Sequence, residues 1–298
     1  MDRVTVVGFD DRARSHDALA LGRLLTETTG ARLIAAYSSL APAAVGEGDL
    51  LSERMLADAD RRLADAEALA GEPRPQLVTT SGRSPADGLL QLVEAQVAAG
   101  ATVDAVVLGS SEHGAVGRVL IGSTPERLLQ GAPCAVAIAP AGYAANAPQR
   151  LADVAVGYDG RPESEAALDA AAALAAEAGA RLHAITVVAE TPGVHVPGPL
   201  DAGEYVQYVA TLHAHEAERA RAAIERLGET PVELVLETPG GDATDVLTAR
   251  SAEVDLVVLG SRGHGPLRRV LLGSVSTHLV RHSACPLLVV PRAAGDGS

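Results

Sequence analysis

DAVVLGSSEHGAVGRVLIGS, from Asp104 to Ser123, returns 151 residues later as DLVVLGSRGHGPLRRVLLGS, from Asp255 to Ser274. The same spacing carries Cys134 onto Cys285 and Pro140 onto Pro291. Nearer the start of each copy, VVGFDD (Val6 to Asp11) meets AVGYDG (Ala155 to Gly160), and the GARL at Gly30 meets the one at Gly179, both 149 residues apart. Separated anchors in one order at nearly constant spacing mark a duplicated unit. Alanine-rich helices could mimic some of this likeness, but not glycines in register. At 298 residues the length also suits two domains of roughly 150 each.

Within each copy, short β-branched runs alternate with helical stretches, the pattern of a parallel sheet with crossover helices. In the second copy the strands read from Val154, Leu182, Val232, Asp255 and Pro286, and the helices as 163–178, 202–227 and 242–251. The first copy mirrors this with helices at 15–29, 49–70 and 85–98. Runs that are apolar without alternation fit a sheet covered on both faces. The expected fold is α/β: two tandem three-layer α/β/α domains, 1–146 and 152–298, each with a five-stranded Rossmann-like parallel sheet. The Gly-, Pro- and Asn-containing stretch 141–150 reads as the linker.

Composition narrows the function classes. Lys and Arg total 24 against 38 Asp and Glu, a net charge of −14, with one Phe, five Tyr and no Trp. Nucleic-acid binding relies on clustered cations and aromatic platforms, so it is not expected. The chain holds no Lys at all, which excludes a Walker-type G-x-x-x-x-G-K-[ST] loop and a Schiff-base lysine. Two cysteines cannot build a disulfide framework, and neither a signal peptide nor an 18-residue apolar span is found. A cytoplasmic protein without a membrane partner is expected. His213, His215 and Glu216 resemble metal ligands on paper, but residues two apart on a helix face different ways, so a surface cluster is expected and no metal site. Cys134 and Cys285 read as small hydrophobes.

In open parallel sheets ligands settle beyond the carboxyl ends of the strands, where the strand order reverses. There, Gly157 and Asp159 end the first strand of the second copy, Val187 closes the second, and Gly260 ends the fourth, followed by Arg262, Gly263, His264 and Gly265. Gly273 and Ser274 then open a helix that continues with Val275 and Ser276. Glycines let backbone N–H groups approach a phosphate, and a helix N-terminus adds donors and partial positive charge. Taken singly, Asp159 is equally a turn or helix cap, Val187 a core residue, Ser274 an N-cap and His264 an exposed loop side chain.

The spacing G-x-x-G-x9-G-S, at Gly260, Gly263, Gly273 and Ser274, resembles the motif of ATP-binding universal stress proteins, and the likeness covers nearly the whole chain as two such domains. It implies the strand order 3-2-1-4-5, domains paired through their last strands, a homodimer, Asp159 and Val187 around an adenine, and the glycine loop with Ser274 around the phosphates of ATP, with Mg²⁺ as a possible companion. The first copy departs from it. Asp10, Gly109, Gly122 and Ser123 keep their places, but Glu112 stands where the second glycine should be, and strand two ends in Tyr37-Ser38 instead of an aliphatic residue. Between the outer motif glycine and serine, the first copy sums to zero charge (Arg118 and Glu112) and the second to +3 (Arg262, Arg268 and Arg269). A carboxylate at a phosphate locus is repulsive, so ATP is expected in the second copy and weakly or not at all in the first. Ser123 to Glu126 reads as a capping box. With no base or metal-holding carboxylate in the second loop, a nucleotide-dependent regulator is expected before a catalyst. A slow ATPase and a nucleotide-free interaction module are the alternatives.

Overall fold

Val4 to Val7 and Leu256 to Leu259 are buried side chain after side chain, as strands with helices on both faces must be. The computed structural model of the chain describes residues 2–40, 50–110, 122–189, 202–228, 232–263, 270–271 and 273–291. The first repeat runs β1 (Arg3–Gly8), α1 (Ala13–Thr29), β2 (Arg32–Leu40), α2 (Leu50–Ala70), β3 (Gln76–Gly82), α3 (Pro85–Ala98), β4 (Thr102–Gly109), α4 (Ser123–Leu129), β5 (Ala135–Ala139) and a short α5 (Tyr143–Asn146). The second runs β6 (Asp153–Gly157), α6 (Pro162–Ala178), β7 (Arg181–Ile185), α7 (Ala202–Arg226), β8 (Leu234–Glu237), α8 (Ala243–Arg250), β9 (Leu256–Gly260), the two-residue strands β10 (Arg262–Gly263) and β11 (Val270–Leu271), α9 (Ser274–His282) and β12 (Leu287–Val290).

The main strands form one ten-stranded sheet in the order β3-β2-β1-β4-β5-β12-β9-β6-β7-β8. Each half has the order 3-2-1-4-5 with every pair parallel. The halves meet antiparallel, with Val136 opposite Val289, Ala137 opposite Leu288 and Ile138 opposite Leu287. All six are buried. One apolar core lies on the α1, α2, α6 and α7 face and another on the α3, α4, α8 and α9 face, and each contains residues of both repeats.

Local sequence accounts for the helix boundaries. The Ser15 hydroxyl accepts from the Arg12 N–H (3.1 Å), and 149 residues later Ser164 accepts from Arg161 (3.1 Å). Both helices close on left-handed glycines, Gly30 (φ 69°) and Gly179 (φ 63°), where a Cβ would be strained. The sequence expectation needs adjusting at β8, which begins at Leu234, not Val232, and stops at Glu237 before Pro239, a residue with no N–H for a ladder. It also needs adjusting at 141–150, which is no loose tether. Both carboxylate oxygens of the buried Asp17 accept backbone N–H groups there, from Gly142 (2.9 Å) and Ala144 (2.8 Å), and Tyr143 packs into the core.

A second polar knot ties the outer strands of the second half. His183, 8% exposed at its side chain, sits between Asp153 (Nε2 to Oδ1, 2.7 Å) and Glu237 (Nδ1 to Oε1, 2.9 Å). Arg250 of α8 donates to Glu237 (2.6 Å) and Arg181 to Asp153 (2.9 Å). Burial opposes ionisation of Asp153, but the bonds from Arg181 and His183 outweigh it and hold its carboxyl below the usual range.

Two outcomes are expected. Asp17→Ala leaves two N–H groups without their acceptor and lowers stability by about 1–3 kcal/mol, with new protease cleavage within 141–150 on limited digestion. Asp153 contributes stability that is present above the ordinary carboxylate range near 3.8 and is lost as pH falls through its lower folded value. Asp153→Asn therefore flattens acid unfolding curves followed by circular dichroism below about pH 4.

Candidate functional site

The carboxyl ends of β1 and β4, and of β6 and β9, each carry a cavity at the point where the strand order reverses, the place where open α/β sheets take ligands. In the second repeat Gly157, Asp159, Val187, Gly260, Gly273, Val275 and Ser276 come together around about 140 Å³. Ile185, Leu247 and Leu259 supply apolar wall, and Arg161 and Glu163 line it as well. Ser274 is exposed in the first turn of α9, beside the wall residues Gly273 and Val275. Arg262 and Gly263 form β10, which pairs antiparallel with Leu271 and Val270 of β11. His264, Gly265, Arg268 and Arg269 fall outside the described residues, as do Glu112 and Arg118 of the first repeat.

The glycine that ends each fourth strand has a packing role of its own. A Cβ on Gly260 would lie 2.1 Å from the carbonyl oxygen of Glu163, and one on Gly109 would lie 1.8 Å from that of Arg14. The strand end thus presses against the first turn of α6 or α1, in both repeats alike. The serines expected as caps take another place. Gly122 and Gly273, both extended, are the N-caps of α4 and α9 with no side-chain bond, and Ser123 and Ser274 are the first helical residues.

Asp159 does the local job open to it, accepting from the Arg161 N–H (3.1 Å), with its Oδ2 3.5 Å from the Arg161 Nε. Its backbone carbonyl accepts from Arg219 of α7 (3.2 Å). Asp10 in the first repeat is held by the same scheme, its carbonyl accepting from Arg62 of α2 (2.9 Å), while its carboxylate pairs with Arg14 and approaches Arg12 (3.7 Å).

The first-repeat cavity contains Asp10, Gly109, Gly122 and Ser123, as the sequence grouped them, and is the larger at about 510 Å³. Its walls add Arg12, Arg14, Arg62, Tyr37 and Ser38, and Arg62 lies 5.7 Å over the Tyr37 ring. These arginines lie outside the glycine loop, where a charge count along the loop does not reach them. The signal was present: Arg12 and Arg14 stand two and four residues after the strand-one Asp, where the second repeat has Arg161 and Glu163.

Elsewhere, His213 is half-buried, its Nδ1 2.8 Å from the Thr238 carbonyl oxygen beyond α7, and Glu216 pairs with Arg219 one turn on within the same helix (2.8 Å). No group of three His, Cys, Asp or Glu among the described residues is arranged for a metal ion. Desolvation pushes the thiols of Cys134 and Cys285 up to about 12, which leaves them protonated and unreactive near neutrality.

Comparison with known proteins agrees with this double architecture. The Universal stress protein family matches twice, over residues 1–140 and 152–291. The chain belongs to the universal stress protein family. Among relatives, a universal stress protein of Mycobacterium tuberculosis is 33% identical over 266 residues, 88% of this chain and 77% of its own length. A second from the same organism is 32% identical over 236 residues, 78% of this chain and 75% of its own length. A universal stress protein from Archaeoglobus fulgidus superposes with a TM-score of 0.65 at 18% identity, covering 97% of this chain and 98% of its own, a likeness of fold.

Gly260→Ala is expected to destabilise the chain by about 1–3 kcal/mol, the usual cost of overpacking, because its Cβ meets main chain. Gly122→Ala, whose Cβ would meet among the described residues just the Pro125 ring, at 3.5 Å from Cδ, should cost under about 1 kcal/mol. Urea unfolding of the two variants measures the difference.

Proposed function

We propose that the second repeat binds ATP and that this universal stress protein acts through nucleotide occupancy, as a regulator and not as a dedicated catalyst. The observation that carries the reading is the convergence, in one cavity, of Asp159, Val187, Gly260 and Gly273 from four separate chain segments. The apolar slot of Ile185, Val187, Leu247 and Leu259 suits the face of a base. At about 140 Å³ it is smaller than the ~300–1,000 Å³ of pockets that enclose whole ligands, so it receives part of one. The rest of the nucleotide extends toward the start of α9, where Gly273 is the N-cap, Ser274 lies in the first turn and helix N–H groups favour phosphate; the sequence between Gly260 and Ser274 contributes Arg262, Arg268 and Arg269, a charge of +3.

Slow hydrolysis is the second reading. Asp159 and Glu163 bring two carboxylates to the same cavity, the donor type that Mg²⁺ prefers. The functional units are the segments 1–146 and 152–298, and a chain with two free cysteines and a net charge of −14 suits the cytoplasm and has little attraction for nucleic acid. No helix among the described residues is long and apolar enough to cross a membrane. A homodimer, which the family resemblance favours, would use a surface other than β5 and β12, because these already pair with each other.

Denaturing the chain purified without added nucleotide and separating what it releases by ion exchange should yield about one ATP per chain. Gly263→Glu, which copies Glu112 into the second loop, should remove it. Release of two per chain, or of none with no thermal stabilisation by Mg-ATP, would overturn the reading, and ADP in place of ATP would favour hydrolysis.

A further inference from the structure

The described walls of the two cavities carry opposite charge. The described walls of the first hold three cations, Arg12, Arg14 and Arg62, against one carboxylate, Asp10, a balance of +2. Those of the second hold Arg161 against Asp159 and Glu163, a balance of −1. The loops are reversed, zero in the first repeat and +3 in the second. The exchange centres on one backbone position: Arg14 and Glu163 both set their carbonyl oxygens against the glycine that ends the fourth strand, at 1.8 and 2.1 Å from its would-be Cβ. The fold is the same at this point and the side-chain charge is inverted.

We infer that the first-repeat cavity is a second ligand site, for a small phosphorylated molecule whose phosphate is held by Arg12, Arg14 and Arg62 at the strand-one wall and not by the glycine loop. The guanidinium groups have capacity for it. An arginine has five N–H donors. Among the described residues Arg62 spends two sites, Nε on Asp58 and Nη1 on the Asp10 carbonyl, Arg14 spends Nη2 on Asp10, and Arg12 only approaches Asp10. Arginine forks match phosphate oxygens in pairs. The rest of the wall also differs from a base slot. Ser38 occupies the place of Val187 in the wall, so a polar side chain stands where the second repeat sets an aliphatic one. The volume of about 510 Å³ lies within the range of pockets that enclose a whole small ligand.

The site stands apart from the reading of the second repeat, and its test is arranged to keep the two separate. The probe is inorganic pyrophosphate, titrated calorimetrically into the full-length Gly263→Glu chain stripped of nucleotide. One site per chain is expected, weakening as salt rises. Arg14→Gln and Arg62→Gln in that background should each lower affinity at least tenfold, and Arg14→Lys should restore part of it, with thermal unfolding checked for each variant. If Arg14→Gln fails to fold, Arg12→Gln, which removes a guanidinium with no described hydrogen bond, takes its place with the same expected loss. Absence of pyrophosphate binding, or affinity unchanged by the arginine substitutions, overturns the proposal. Binding by the stripped wild-type chain that is missing from the Gly263→Glu chain also overturns it, by moving the anion to the second loop. Failure of the second repeat to hold ATP would instead show in the released-nucleotide measurement and leave this titration unaffected.

Discussion

The antiparallel ladder between Ala135–Ala139 and Leu287–Val290 is the contact on which the rest of the molecule depends. Without it, each half would be a five-stranded sheet with an apolar edge strand, the kind of edge that recruits other chains. With it, both outermost apolar strands become the centre of a single sheet, and the helical layers on either side merge into two continuous cores. Tethering makes the contact intramolecular, so it forms at a high effective concentration and not at the concentration of the protein. The pinned segment after β5 contributes to this, since Asp17 and Tyr143 hold its first residues against the first repeat and leave few free residues between the halves.

Most of this architecture was legible in the chain. The repeat fixed how many units to expect, and the unbroken apolar runs fixed their buried parallel strands. Both signals survive because duplication copies strands and glycines together. Strand order came only from family resemblance, for order is a long-range property that no local pattern encodes. The tethering of 141–150 was illegible for a related reason. Its anchor, Asp17, lies 125 residues before Gly142 and looks in sequence like any acidic residue on a helix. His183 was hidden likewise, because its two carboxylate neighbours come from different strands.

The site was legible in its residues more than in their roles. Asp159, Val187 and the glycines do converge, yet Gly260 and Gly109 answer first to close packing against a helix carbonyl. A motif glycine can therefore persist in a repeat whose ligand has changed, since the fold needs it whatever is bound. Charge counted along the loop told half of the electrostatics. The other half comes from the helix start after strand one and from the long helix crossing above it, segments far apart in sequence that only the fold superimposes.

Because the halves run antiparallel, the carboxyl ends of β1 and β4 point one way and those of β6 and β9 the other. The two mouths therefore sit on opposite rims of the sheet, facing away from each other. No single small molecule can bridge them, and a protein that covers one leaves the other open to solvent. Any conversation between them must cross the seam, through the central ladder or through the two cores that span it. The chain is in this sense bipolar, with a pole at each rim and a seam halfway between.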